Sequence, residues 1–307
     1  MDRKKSVSIR DIFPVVLMGC LFVFINYLAL LISKPFKASN MAAFDNPDDP
    51  MNLILILFIL LFFTILILMI TKFWRRQLIQ IIILGAVGYT AFYVFLPIFA
   101  IILPYLLSVF FSIAVAAVAV SALFRYPEWY VIDVCGVVIG AGAIAIFGIS
   151  LSIPLIIVLL IVLALYDAFS VYKTGHMIDI ADAVMDLKLP VMLVVPKIRH
   201  YSLLKEKKSL REKLRDGEER DAFFMGLGDV VMPGILSVAV YNSVENGFIL
   251  AMFTIAGALA GFILLMIFVV KGKPQAGLPF LCSGSILGYV LSSFLLFGKI
   301  WGFSLLI

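Results

Sequence analysis

The sequence predicts an all-α membrane protein, a bundle of nine transmembrane helices. Three observations predict it. Hydrophobic residues make up 64% of the 307 and charged residues only 14%, against about 25% charged in an ordinary soluble domain. The mean hydropathy is +1.15. Apolar runs of spanning length recur along the chain, near 13–33, 51–71, 77–97, 99–124, 130–149, 153–174, 221–242, 247–270 and 278–297.

The first run, Phe13 to Ser33, is long enough to span and no small-residue cleavage site follows it, so it reads as a retained helix and not as a removed signal. Between the third and fourth runs, Pro97 and Pro104 bracket a short apolar link that a re-entrant break would also explain. The fifth run carries Gly136, Gly140, Ala141, Gly142, Ala143 and Ala145, small residues that let helices approach closely in lipid. Three units follow: a bundle of spans one to six over 1–174, a polar loop over 175–220 and a bundle of spans seven to nine over 221–307. In the loop, HMIDIADAVMDLKLPVMLVVP reads as partly membrane-associated and KEKKSLREKLRDGEER as a solvated charge run. Cys20, Cys135 and Cys282 lie in apolar runs without paired spacing and read as small core residues, outside any disulfide or zinc framework.

Charge sets the orientation. With the N-terminus inside, the inner segments hold Arg3, Lys4, Lys5 and Arg10, then Lys72, Arg75, Arg76 and Arg125, eleven Lys and Arg from Lys173 to Arg220, and Lys271 with Lys273. Only Lys34, Lys37 and Lys299 fall outside. The positive-inside rule therefore predicts a cytoplasmic N-terminus and an external C-terminus. The net charge of +5 is explained by this bias, and no nucleic-acid partner is expected.

Two acids sit well inside apolar stretches at matching distance from the charged loop: Asp167 in IVLALYDAFSVY and Asp229 in FFMGLGDVVMPG. At 1.5 Å per residue each lies roughly 10–12 Å from the inner face, so their depths agree within about one helical turn. An isolated intramembrane acid can pair with a buried base or bond a backbone group. No Lys, Arg or His lies in the middle of a span, however, which leaves each aspartate as the other's available partner. Two carboxyls close together in low dielectric cannot both ionise cheaply and hold one proton between them. One can then activate water while the other protonates or polarises a scissile carbonyl, with neither role assigned to a particular residue. Gly226 and Gly228, flanking Leu227, clear side chains from a path where a substrate backbone must approach, and Pro233 weakens the following helical ladder. Tyr166 is placed either to bond a carboxylate or to pack. Zinc and Ser/His mechanisms lack their residues, because there is no HExxH and His176 and His200 both lie in the polar loop.

Tyr166-Asp167 followed by Gly226-Leu227-Gly228-Asp229 resembles the YD and GxGD motifs of the presenilin and signal peptide peptidase family of intramembrane aspartyl proteases. The resemblance implies nine spans with catalytic Asp167 and Asp229 on the sixth and seventh. It further implies a substrate-recognition element before the ninth span, where the family has Pro-Ala-Leu. Here that stretch is Gln275-Ala276-Gly277-Leu278-Pro279: Leu278 fits the family leucine, while Ala276 and Gly277 replace proline and alanine. A plain helix start at Gly277 and Pro279 is the other reading of this stretch. GLGDVVMPG, with Leu189-Pro190 and Val194-Val195-Pro196, looks closer to signal peptide peptidase than to presenilin, which implies activity without cleavage of the connecting loop. The short termini look like those of a minimal, prokaryotic or archaeal member, in which case the protein resides in the cell membrane.

The expected activity is an endopeptidase that cuts peptide bonds within single-span transmembrane helices or remnant signal peptides, with Tyr166, Gly226, Leu227, Gly228, Ala276, Gly277, Leu278 and Pro279 contacting substrate. It needs no cofactor, metal or accessory subunit; its partners are helical peptides and the bilayer, and self-association is left open. Two rivals stand beside this reading. A prepilin-peptidase-like aspartyl protease also uses a GxGD aspartate but resembles a shorter set of spans, and a proton-coupled transporter or cation leak channel would use buried acids to carry ions.

Overall fold

The computed structural model describes residues 9–73, 76–174, 192–197, 201–202, 221–244, 247–270 and 275–302. Among them are nine α-helices: α1 (Ile9–Ala38), α2 (Pro50–Phe73), α3 (Arg76–Ala100), α4 (Tyr105–Arg125), α5 (Trp129–Ser150), α6 (Ile153–Phe169), α7 (Leu227–Ser243), α8 (Phe248–Val270) and α9 (Gly277–Phe297). Seven of these are long and apolar enough over their described residues to cross a membrane. The outer surface is apolar as lipid demands, with Phe58 63%, Leu106 80% and Leu295 79% exposed.

Two sequence expectations need correction. The run 221–242 is not helical throughout: it opens as a strand, β2 (Ala222–Gly226), paired antiparallel with β1 (Met192–Pro196), so α7 begins only at Leu227. Uninterrupted apolar residues fit a buried strand as well as a helix, which is why the period alone did not separate them. The link between Pro97 and Pro104 is a plain turn between packed antiparallel helices, since α3 runs through Pro97 to Ala100 and Pro104 is the N-cap residue of α4. The expected loop segments at 175–191, 198–200 and 203–220, with Leu189-Pro190 and both histidines, lie outside the described residues. Cys135 and Cys282 are buried as expected, but Cys20 faces outward.

α7 is the centre of the bundle. It is apolar on every side, and α1, α5, α6, α8 and α9 all pack against it, so Val230, Leu236, Val238, Ala239 and Val240 are fully buried. α8 and α9 make the closest helix pair. Gly257 and Gly261 on α8 face Gly284 and Gly288 on α9, each pair in GxxxG spacing, and backbone meets backbone with no side chain between. A β-carbon on Gly257 would lie 2.8 Å from the Gly288 Cα. At the far end, the backbone beyond α9 folds back: Ser293 Oγ donates to the Lys299 carbonyl and accepts from the Trp301 amide, and the Tyr289 hydroxyl donates to the Trp301 carbonyl. Gly302 approaches Ile153, which places this end of α9 beside the start of α6.

Because the α8–α9 crossing leaves no room for a side chain, Gly257→Val should destabilise the bundle by about 3 kcal/mol or more, at the upper end of overpacking costs. Thermal unfolding in detergent checks this, and Gly85→Val, at an open position, should leave the transition within a degree or two of the parent.

Candidate active site

Asp167 lies in the last turn of α6, just before the helix passes into a single π-helical turn, Ser170–Thr174. Such turns concentrate at functional sites because they re-aim side chains. Asp229 lies in the first turn of α7, three residues after the last residue of β2. The strand-to-helix step therefore fixes its position. Pro233 has no amide to donate to the Asp229 carbonyl four residues earlier, which loosens the first turn. The Pro233 carbonyl in turn accepts from Ser285 Oγ of α9 at 3.0 Å, tying the two helices together just below the site.

Both carboxyls converge on the start of α9. The Leu278 amide donates to Asp167 Oδ2 at 3.1 Å, with the Gly277 amide alongside. A β-carbon on Gly277 would lie 2.9 Å from Asp229 Oδ2 and 3.1 Å from Oδ1, so Gly277 rests directly against the second carboxyl. The two aspartates lie close enough to feel each other's charge, and the buried thiol of Cys282, farther along α9, lies near both. Asp167 is 8% exposed, and Asp229 is partly open. The first turn of a helix presents free amides and the positive end of its dipole, a favourable place for a shared negative charge.

The other expected contacts separate into two groups. Gly226 stands near Asp229, its would-be β-carbon 3.5 Å from Oδ2, and Gly228 is exposed with open space around it. Leu227 instead turns inward and packs on Gly136 and Gly140 of α5, so its side chain supports the site from behind. Ala276 is fully buried as the N-cap residue of α9, while Leu278 and Pro279 are half-buried in its first turn. The stretch before the last helix is thus a helix start and not a strand. Tyr166 is 56% exposed on the outer face of α6.

Sequence reasoning missed two bonds that frame the site. Tyr172, in the π-turn, donates its hydroxyl to Gln275 Oε1 at 2.6 Å and so joins the end of α6 to the lead-in of α9. Asp133 of α5 accepts from the Val194 amide of β1 through Oδ1 at 2.8 Å. Only the second carried a signal, an acid inside an apolar segment, and it lies near the segment's end, where a charge is unremarkable.

A membrane-spanning bundle that gathers two carboxyls in its interior belongs, as a class, with the intramembrane aspartyl proteases. Comparison with known proteins gives the family. The family model described as signal-peptide peptidase, presenilin aspartyl protease, matches residues 19–299. Two solved structures, each of a presenilin family intramembrane aspartate protease, in C222 and P2 space groups, match with 29% and 31% sequence identity and TM-scores of 0.66 and 0.67. Each match covers 92% of this chain and 98% of the other. No curated protein matches. The chain belongs to the signal peptide peptidase and presenilin family: it is a multi-pass integral membrane protein and an intramembrane aspartyl protease.

The contact at Gly277 makes a graded prediction. Gly277→Ala places a methyl group where the Asp229 carboxyl must give way by a few tenths of an ångström, and turnover should fall less than about tenfold. Gly277→Val cannot be met by so small a shift and should lower kcat about 100-fold if Asp229 takes part in the chemistry, the scale of a misplacement of about 1 Å. Rates of peptide cleavage in detergent, with melting temperatures as the control for folding, decide it.

Proposed function

We propose that Asp167 and Asp229 are the catalytic pair of an endopeptidase that hydrolyses peptide bonds within single-span transmembrane helices or remnant signal peptides. The observation that carries this reading is the meeting of both carboxyls at Gly277 and Leu278. The pair holds one proton. The ionised carboxyl takes a proton from water as the water oxygen attacks the scissile carbonyl carbon, and the protonated one donates to the carbonyl oxygen. In the collapse of the tetrahedral intermediate, the C–N bond breaks, a proton passes to the leaving nitrogen, and the pair returns to its starting charge.

A helical peptide bond is internally hydrogen-bonded, so the substrate must unwind locally, and its freed amides and carbonyls need partners within the bilayer. Strand addition supplies them. β1 has its outward Val194 amide taken by Asp133, whereas β2 is paired on one side only among the described residues and leads directly to Asp229. The unwound segment is therefore read as adding to β2. Lys and Arg bias places the N-terminus and this end of the bundle in the cytoplasm, so cleavage falls toward the cytoplasmic side of the substrate helix. The chain acts uncut and needs no accessory subunit.

Purified protein incubated with a model transmembrane peptide should yield products whose masses place the cut in the half of the helix nearer the cytoplasm, and a hydroxyl-bearing transition-state mimic should block it. Asp167→Ala and Asp229→Ala should each abolish cleavage, by at least about 1,000-fold given the cost of losing one member of a concerted catalytic unit, with melting unchanged. Substantial turnover by either folded variant would refute the pair.

A further inference from the structure

Asp133 is the buried acid that the proposed chemistry does not use. It lies in the second turn of an apolar helix, 7% exposed, where an acid is costly and needs a reason. Its surroundings supply one. Asp133, Gly136 and Gly140 are spaced by three and four residues and share one face of α5. That face seats the hairpin and its continuation. Asp133 Oδ1 holds the Val194 amide, a β-carbon on Gly136 would lie 3.2 Å from Leu193 Cδ2, and one on Gly140 would lie 3.1 Å from Leu227 Cδ1.

The bonded amide is a particular one. In an antiparallel pair alternate residues turn their amides toward the partner strand, and the Val194 amide, held by α5, belongs to the outward set. Val194 is 2% exposed and its neighbours Leu193 and Val195 are buried to the same degree. An outward amide there has no water to bond, and leaving it bare would cost about 1–3 kcal/mol. A carboxylate oxygen is the stronger kind of acceptor for it. The bond also selects a register: slipping β1 by one residue along α5 would turn Leu193 or Val195, whose amides face β2, toward the acceptor.

Register in β1 becomes position at Asp229. Val194 stands opposite Phe224, and Met192 opposite Gly226, the last residue of β2. β2 enters α7 without an intervening residue, and Gly226 lies against the Asp229 carboxyl. We propose that Asp133 is a positioning residue for the proteolytic site: by accepting the Val194 amide it locks the β1–β2 hairpin to α5 in one register and so sets both where Asp229 sits and which substrate bond is presented to it. The inference rests on the catalytic pair for its rate readout.

The test compares Asp133→Asn, which keeps an acceptor oxygen of the same reach, with Asp133→Ala, which removes it. The asparagine variant should retain at least half the parent rate. The alanine variant should lose about 10- to 100-fold in kcat, as misplacement by about 1 Å does elsewhere, and its products should spread to neighbouring bonds by mass spectrometry. Parent rate and product pattern in folded Asp133→Ala would overturn the proposal, as would an asparagine variant as impaired as alanine. If Asp133→Ala does not fold, Asp133→Ser keeps a hydroxyl that can bond a carbonyl of its own helix but is too short to reach the Val194 amide. It should reproduce the loss, and parent-like cleavage by it would overturn the proposal. Amide exchange at Val194, faster in Asp133→Ala than in Asp133→Asn, reports the lock without reference to catalysis; with that difference present and no cleavage by the parent, the catalytic pair fails and the lock stands.

Discussion

Everything else in this bundle is arranged around two carboxyls held against the first turn of one helix. α6 brings Asp167, and the strand-to-helix step into α7 brings Asp229. The start of α9 receives both, bonding Asp167 through the Leu278 amide and setting the bare backbone of Gly277 against Asp229. That demand explains packing far from the site. α9 can press this closely only because its glycines lie on those of α8 and because Ser285 ties it to the Pro233 carbonyl of α7. A helix start also brings its own orphan amides to the meeting point, so no extra side chain is needed to orient an acid there.

The second constraint is unpaired backbone. Opening α7 with a strand and ending α6 with a π-turn exposes amides and carbonyls in a part of the protein where lipid offers no partners. The hairpin closes its backbone with its own ladder and with Asp133 at the outer edge, and the π-turn is tied to the lead-in of α9 by the side-chain bond from Tyr172 to Gln275. Irregular backbone persists in a membrane protein only where such closures exist. Here they all surround the two aspartates.

Much of this was legible in the sequence, for identifiable reasons. Long apolar runs report helices in lipid because the solvent forces backbone bonds inward, so the helix count followed from hydropathy. The depth of Asp167 was readable because α6 is helical up to the acid, whereas the path to Asp229 runs through Ala222–Gly226, a strand that rises about 3.3 Å per residue. What distance along a chain cannot report is what a side chain meets. Leu227 lies inside GLGD yet points away from the carboxyls toward α5. The hairpin was hidden because Ala222–Gly226 is as apolar as the helix it precedes, and Asp133 because an acid near the end of a span resembles an ordinary boundary charge. The α8–α9 contact depends on two GxxxG patterns that signify little until they face each other.

One choice runs through the three acids gathered around the hairpin and the start of α9. Asp133 and Asp167 accept from backbone amides, and Asp229 faces Gly277 and the other carboxyl. A lysine or arginine would offset the cost of burial more simply, but it would hold an anion as a fixed ion pair and, in the mechanism proposed for the pair, compete for the proton the two carboxyls share. An amide neither gives up nor takes a proton in the working range of an enzyme. It can aim a carboxyl while leaving the proton to pass between the aspartates, the water and the substrate. Surroundings separate the structural acid from the other two: Asp133 meets its amide deep in the seat of the hairpin, whereas the carboxyls at Gly277 meet beside the exposed Gly228.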